Sequence, residues 1–322
     1  MHQEIYFEQA MEQSLIEQGG FQRGDAGGFD PARALFPDEV IAFIEASQPQ
    51  RWQSLVKLHG EKTADVLLGS LVKELASKNA LHVLRHGFKC FGKTFRLAYF
   101  APNTGMNPEA AAAYGHNRLW VTRQVHFSDK HPNKSLDMVL SVNGLPVVTL
   151  ELKNPMTGQT VEDAMGQYRR DRDPAEPVFR FKERALVHFA VDPDQAFMTT
   201  RLAGDDTHFL PFNRGHNHGA GNPPAEAGGY RTGYLWEQVL TRDSLMDILA
   251  RFLHLEVSES KVTTKKGVKR HRKETLIFPR YHQLDAVRRL IDSARAQGPG
   301  HNYLVQHSAG SGKSNSIAWL AH

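Results

Sequence analysis

The spacing of apolar and polar positions changes period several times along the chain, and each change marks an element. From Glu4 to Gln18 the apolar residues Ile5, Ala10, Met11, Leu15 and Ile16 are broken by acids and glutamines, which predicts an amphipathic helix stopped by Gly19-Gly20. Residues 24–31 form a loop, and 37–45 and 52–75 read as helices rich in Leu and Val, the cover of a sheet. From Phe88 the pattern shifts to aromatic and β-branched residues, predicting strands over 88–91, 94–100 and 118–127 with a turn at Gly92-Lys93. Two further strands, 137–142 and 146–152, flank Asn143-Gly144, a dipeptide that accepts positive φ and so favours a hairpin. Thr160, with Asp163 three residues on, starts a helix running to Arg172. A strand pair over 184–190 and 196–200 turns through Asp192-Pro193-Asp194, and 230–255 returns to a helical stripe containing Trp236, Leu240, Leu249 and Phe252. The fold class expected is α/β, with a mixed sheet of about four strands flanked by helices.

The candidate chemistry sits in the second arm of that hairpin. Period two puts Val147, Thr149, Glu151 and Lys153 on one face, so a carboxylate and an ammonium project side by side from a strand that otherwise belongs in a core. A solvated strand end accounts for two charges equally well. The chemical reading is a divalent-metal site, with Asp137, Glu151 and the backbone carbonyl of Leu152 as hard oxygen ligands for Mg²⁺. Lys153 then steers water or steadies phosphate charge. A plain two-residue turn would set Asp137 opposite Leu150, on the wrong face. An odd-length loop or a bulge with Gly144 in the left-handed region would restore the shared face, and we expect the bulge.

Composition narrows the setting. The 322 residues are 40% hydrophobic and 23% charged with a formal net charge of +4, compatible with nucleic acid without requiring it. The single Cys90 excludes an internal disulfide, and no apolar run approaches the roughly 18 residues of a membrane span. With no secretory pattern at the N-terminus, the expectation is a cytoplasmic protein without a membrane partner. His216-x-His218, in the Gly-, Asn- and His-rich stretch 204–229, invites zinc, but two histidines without a nearby cysteine rarely make a site.

A second motif lies near the end. Residues 301–306 predict a strand, followed by His307-Ser308-Ala309-Gly310-Ser311-Gly312-Lys313-Ser314 and an apolar helix start. This is a phosphate loop with His307 in place of the first glycine. Gly310, Ser311 and Gly312 offer backbone N–H groups, Lys313 reaches the β- and γ-phosphates of ATP, and Ser314 ligands Mg²⁺. The basic stretch 256–274 reads as an exposed linker or hairpin between the two parts, and its Lys and Arg are candidate DNA-phosphate contacts.

Asp137, thirteen intervening residues and Glu151-x-Lys153 on a hairpin resemble the PD-(D/E)xK nuclease core. The string SLDMVLSVNGLPVVTLELKNP resembles that core in the restriction (R) subunit of type I restriction–modification enzymes. So do FEQAMEQSLIEQGGF, Ala46-Ser47-Gln48-Pro49 with Trp52, NRLWVTRQVHF and HFLPFNRGHNHGAGNPP. The resemblance implies an endonuclease domain over 1–255, a basic linker over 256–274, and over 275–322 the truncated start of a RecA-like superfamily 2 helicase motor. It implies a Mg²⁺-dependent nuclease driven by ATP only in the full-length protein, acting on double-stranded DNA with methyltransferase and specificity subunits. Asp137, Glu151 and Lys153 become the catalytic set, Glu8 on the first helix a metal-assisting candidate, and Gln283 the reader of adenine. Many such nucleases carry Gln-x-x-x-Tyr after the lysine. Gln167 matches its first position, but the fourth-on residue is Asp171 and the tyrosine is Tyr168. Arg169, Arg170 and Arg172 are offered as phosphate contacts, and Arg123 and Gln124 as further residues able to face DNA. Because only eight residues follow Ser314, no ATPase activity is expected of this chain alone. The alternatives are another nuclease–helicase fusion, from repair or a different restriction type, and a non-catalytic module that docks DNA or subunits.

Overall fold

Leucines at helical spacing and runs of β-branched residues divide the chain into a helical first third and a sheet that follows. The computed structural model describes residues 2–102, 106–154, 156, 158–217, 219–225, 228–264, 267–308 and 310–321, with the backbone alone for 2–5 and 261–271. Helix α1 (His2–Glu17) leads through the short strand β1 (Gln22–Arg23) to α2 (Pro37–Ser47), α3 (Pro49–His59), α4 (Thr63–Lys78) and α5 (Ala80–His86). Next come β2 (Phe88–Cys90), β3 (Lys93–Phe95) and α6 (Pro108–Gly115), then β4 (Leu119–His126), β5 (Ser135–Val142) and β6 (Leu145–Leu152). Helix α7 (Val161–Arg170) precedes β7 (Val187–Val191), β8 (Ala196–Thr199) and β9 (Leu210–Pro211). Helix α8 (Arg242–Asp247), the hairpin β10 (His254–Thr264) and β11 (Gly267–Ile277), and helices α9 (Tyr281–Gln297) and α10 (Lys313–Ala321) complete the described chain.

Among the described residues a seven-stranded mixed sheet runs in the order β1-β4-β5-β6-β7-β8-β9, more strands than expected. Its parallel neighbours are β1 with β4 and β6 with β7; the remaining neighbours are antiparallel. Every residue of β6 is buried, which is why this strand reads as an almost continuous apolar run. On one face Met138, Leu140, Val148, Leu150 and Phe189 pack in the main core with Met11 and Leu15 of α1 and the leucines of α4. On the other, Val139 and Ala190 pack beneath Ala164 and Tyr168 of α7 and beside Phe179. No helix among the described residues is long and apolar enough to cross a membrane.

Several expectations change. The strands near Phe88 and Thr94 form a separate hairpin, β2–β3, rather than joining the main sheet. The single helix expected over 230–255 is broken, because Thr241 takes an extended backbone (φ −62°, ψ 155°) and begins α8 anew. Turns of π-helix lie on either side, and the chain is already in β10 at His254. Of the two forms expected for the basic stretch 256–274, its described residues take the hairpin, within the eleven-pair β10–β11 ladder. Residues 301–306 form no strand; an extended segment needs a neighbour to pair with, and the described residues place none beside it. Leu276, Phe278, Leu284, Val287 and Trp319, all from the C-terminal part, join the main core.

Two outcomes follow from this packing. A Cβ on Gly144 would lie 2.6 Å from the Phe36 carbonyl oxygen and 2.6 Å from Val40 Cγ2, at φ +83°. Gly144→Ala is expected to destabilise the fold by about 3 kcal/mol, combining overpacking with backbone strain, measured by urea denaturation. Burial raises the Glu39 carboxyl to about 8, and its hydrogen bond from Ser141 Oγ only partly offsets that. Between about pH 4.5 and 8 the unfolded chain loses this proton while the folded chain keeps it, so Glu39 costs stability as pH rises. Glu39→Gln is expected to flatten that part of the stability–pH curve and to stabilise the protein at pH 8.

Candidate active site

The hairpin turn keeps its two residues, with Asn143 at φ 50° and Gly144 at φ 83° and Val142 paired to Leu145. The extra residue is instead Val147: Ser141 pairs with Pro146 but Leu140 pairs with Val148. The bulge therefore lies in β6, three residues beyond Gly144. Continuing the register from Met138 and Leu150 sets Asp137 directly across from Glu151, on the α7 face of the sheet. Asp137 Oδ2 also accepts a hydrogen bond from the Leu152 amide at 2.8 Å. In an extended strand the amide and carbonyl of one residue project from the same edge, so the Leu152 carbonyl opens toward Asp137 too.

Glu151 is fully buried. Its Oε1 accepts from Arg172 Nε at 2.6 Å, while Oε2 has no hydrogen-bond partner. Burial drives the Glu151 carboxyl well above the ordinary glutamate range, Asp137 adds to the shift, and Arg172 and Lys153 oppose it. Lys153 is half-buried two residues along, on the Glu151 side of the strand, and its backbone N–H donates to the Val191 carbonyl at 2.9 Å. Ala190 is the β7 neighbour of Glu151. Below them Thr149 Oγ lies 2.8 Å from both Tyr168 OH and His188 Nδ1, which closes the floor with a satisfied polar network.

Glu8 approaches from the other side. It is buried and accepts from Arg123 Nη2 at 2.9 Å and from Gln124 Nε2 at 3.2 Å. Burial raises its carboxyl, with Asp137 adding to the rise. Gln124 falls between the Arg123–Met138 and Val125–Leu136 pairs, alongside Asp137, and holds a positive φ of 52°. Ser135 Oγ donates to its Oε1 at 2.8 Å; Gln124 stays exposed, while Arg123 is half-buried against Glu8.

Of the three arginines offered as phosphate contacts, Arg172 is buried on Glu151. Its Nη2 donates to the Ser135 carbonyl at 2.8 Å, and its guanidinium lies over the Phe127 ring. It follows the end of α7 and turns back beneath the sheet, a path that local sequence does not signal. Arg169 covers Phe209 and donates to the Thr207 carbonyl; Arg170 is exposed. Gln167 is half-buried, one residue from fully buried Tyr168.

The donor set suits a hard cation, since a buried carboxylate oxygen without a partner faces a second carboxylate across the strand pair. Among the described residues no three His, Cys, Asp or Glu side chains form a ready cluster. Two carboxylates and a backbone oxygen, with waters, are nevertheless a usual shell for Mg²⁺. His216 lies near Asn217, while His218 is outside the described residues.

At the second motif, Gly310 and Gly312 adopt φ 74° and 78°, and Lys313 Nζ donates to the carbonyls of His307 and Ser308. Ser314 lies in the first turn of α10. Gln283 is buried and braces this loop: its Nε2 donates to the Ser311 and Gly312 carbonyls at 3.0 Å, and its Oε1 accepts from the Arg280 amide. A cavity of about 430 Å³ opens beside it, lined by Gln283, Gly310, Ser311 and Gly312 together with Phe181 and Arg201.

Residues 44–207 match the family described as "Type I restriction enzyme R protein N terminus". Over 320 residues the chain is 22% identical to the "Type I restriction enzyme HindI endonuclease subunit" of Haemophilus influenzae. That alignment takes in 95% of this chain but 27% of the relative, so the chain spans about a quarter of that protein's length. No solved structure matches. With half of its residues covered by the family match, the chain belongs to the type I restriction enzyme R protein N-terminal family.

Proposed function

We propose that this chain is the DNA-cleaving module of a type I restriction R subunit and hydrolyses phosphodiester bonds with a divalent cation. The observation that carries this reading is the pairing of Asp137 with Glu151 on one face, Glu151 Oε2 unpartnered and Lys153 two residues further on. Asp137, Glu151 and the Leu152 carbonyl would hold Mg²⁺. When bound, the cation supplies Lewis acidity and a water acidified toward neutral pH. Asp137 and Glu151 keep that charge fixed between the central strands β5 and β6, and the Leu152 amide fixes the Asp137 rotamer through its hydrogen bond. Lys153 faces the negative charge that grows on the scissile phosphate, in a setting where burial strengthens each electrostatic contact. Glu8, tied to Arg123, and Gln167 stand as accessory residues.

Double-stranded DNA is the substrate in this reading, and methyltransferase and specificity subunits are the partners. The charge distribution supports a nucleic-acid partner. Residues 256–274 carry seven Lys or Arg against three Glu, a surplus of four that equals the formal charge of the whole chain. Gly310, Ser311, Gly312, Lys313 and Ser314 are the residues proposed to hold ATP phosphates in the full-length protein, where a RecA-like motor would move DNA. Gln283 would reach adenine only after leaving the loop carbonyls it now contacts.

The test is nicking of plasmid DNA by the assembled enzyme carrying Asp137→Ala. Cleavage is expected to fall by about 10³-fold with ATP-driven translocation retained. Cutting that is undiminished while translocation is intact would end the assignment.

A further inference from the structure

The reading above gives Arg172 no part in holding the cation, yet no other cation touches Glu151 among the described residues. The guanidinium is buried at 3% side-chain exposure against a carboxylate at 0%, and the contact is 2.6 Å. A second nitrogen is fixed on the Ser135 carbonyl at the start of β5, and the guanidinium packs over Phe127. Three constraints from three elements thus determine where its charge sits. Only one Glu151 oxygen is taken, leaving Oε2 buried and unpartnered.

We propose that Arg172 is a positioning residue of the cation site. By capturing Glu151 Oε1 it fixes the carboxylate rotamer, so that Oε2 alone is presented to the ion alongside Asp137. Arginine suits this because its rigid fork bonds a carboxylate and a carbonyl at once, whereas a lysine ammonium on a flexible stem would not fix the plane of the carboxylate. Its distance from any phosphate follows from the same burial, since Arg172 acts through Glu151 rather than on DNA. Outer residues that orient a metal ligand are typically worth 10- to 100-fold in metal affinity.

This inference rests on the metal-dependent nuclease reading, and the experiment separates the two. Binding of Mn²⁺ to the 322-residue chain is measured by titration calorimetry for the parent, Arg172→Lys, Arg172→Met and Glu151→Gln, with melting temperatures recorded in EDTA. The assembled enzymes carrying the two Arg172 variants are then assayed for plasmid cleavage across a Mg²⁺ series. Arg172→Lys is expected to bind Mn²⁺ about tenfold more weakly. It should also need correspondingly more Mg²⁺ for half-maximal cleavage, with the rate at saturating Mg²⁺ close to the parent's. Arg172→Lys retains the charge and carries the test if Arg172→Met fails to fold. Unchanged Mn²⁺ affinity together with a lower melting temperature would make Arg172 a structural residue only and overturn the proposal. A fall in the saturated rate at unchanged affinity would overturn it in favour of a contact with the reacting phosphate. Glu151→Gln that binds Mn²⁺ as tightly as the parent would remove the cation site itself, and this inference with it.

Discussion

Placing a carboxylate in a fully buried central strand of the sheet is the constraint around which the rest of this molecule is arranged. Transferring an unpaired carboxylate from water to a protein interior costs several kcal/mol even after relaxation, on the order of the whole stability of a domain. Glu151 is held there because Arg172 meets it and Ala190 leaves room beside it. Arg172 is in turn held by the Ser135 carbonyl and Phe127. The apolar faces of β5, β6 and β7 supply the stability that this arrangement draws on, at about 2 kcal/mol for each fully buried large side chain. The compensation stops at one oxygen, and the other, Oε2, is buried without a hydrogen-bond partner.

Much of this was legible in the sequence, and the limits have physical causes. Asn143-Gly144 announces a hairpin because few other residues accept positive φ at both positions, and the structure has that turn. The bulge is a different matter. The extra residue, Val147, stands among apolar neighbours buried on both faces, so no alternation of polar and apolar positions betrays it. Only the chemical requirement that Asp137 and Glu151 share a face implied a bulge, and the place expected for it, Gly144, falls three residues short of Val147. Arg172 was unreadable for a related reason, since Arg169, Arg170 and Arg172 look alike in sequence and only the turn beyond α7 sends the last one inward. Over 230–255 the apolar stripe was correctly seen as buried. The break at Thr241 went unseen because helical spacing persists on both sides of it.

The C-terminal part is joined to the sheet more closely than a basic connecting segment suggests. Lys182 pairs with Glu274, Thr200 Oγ donates to the Leu276 carbonyl, and Trp319 donates its indole N–H to the Phe252 carbonyl at 2.8 Å. The glycine loop, braced by Gln283, therefore opens onto a cavity whose other walls come from β8, the segment between β8 and β9, and β11. A group bound at the loop would touch both parts at once.

The single extra residue at Val147 also gives the site an arithmetic. Side chains in β6 alternate, so whether Glu151 and Lys153 meet Asp137 depends on the parity of the count between the turn and the charged pair. Removing or adding one residue there would exchange the two faces, sending the charges into the leucine-rich layer and leucines toward Asp137. Changes by two would restore the facing but displace the pair by nearly 7 Å along the strand. Substitution alone leaves that geometry in place, so the length of this stretch is as much a part of the arrangement as its residues.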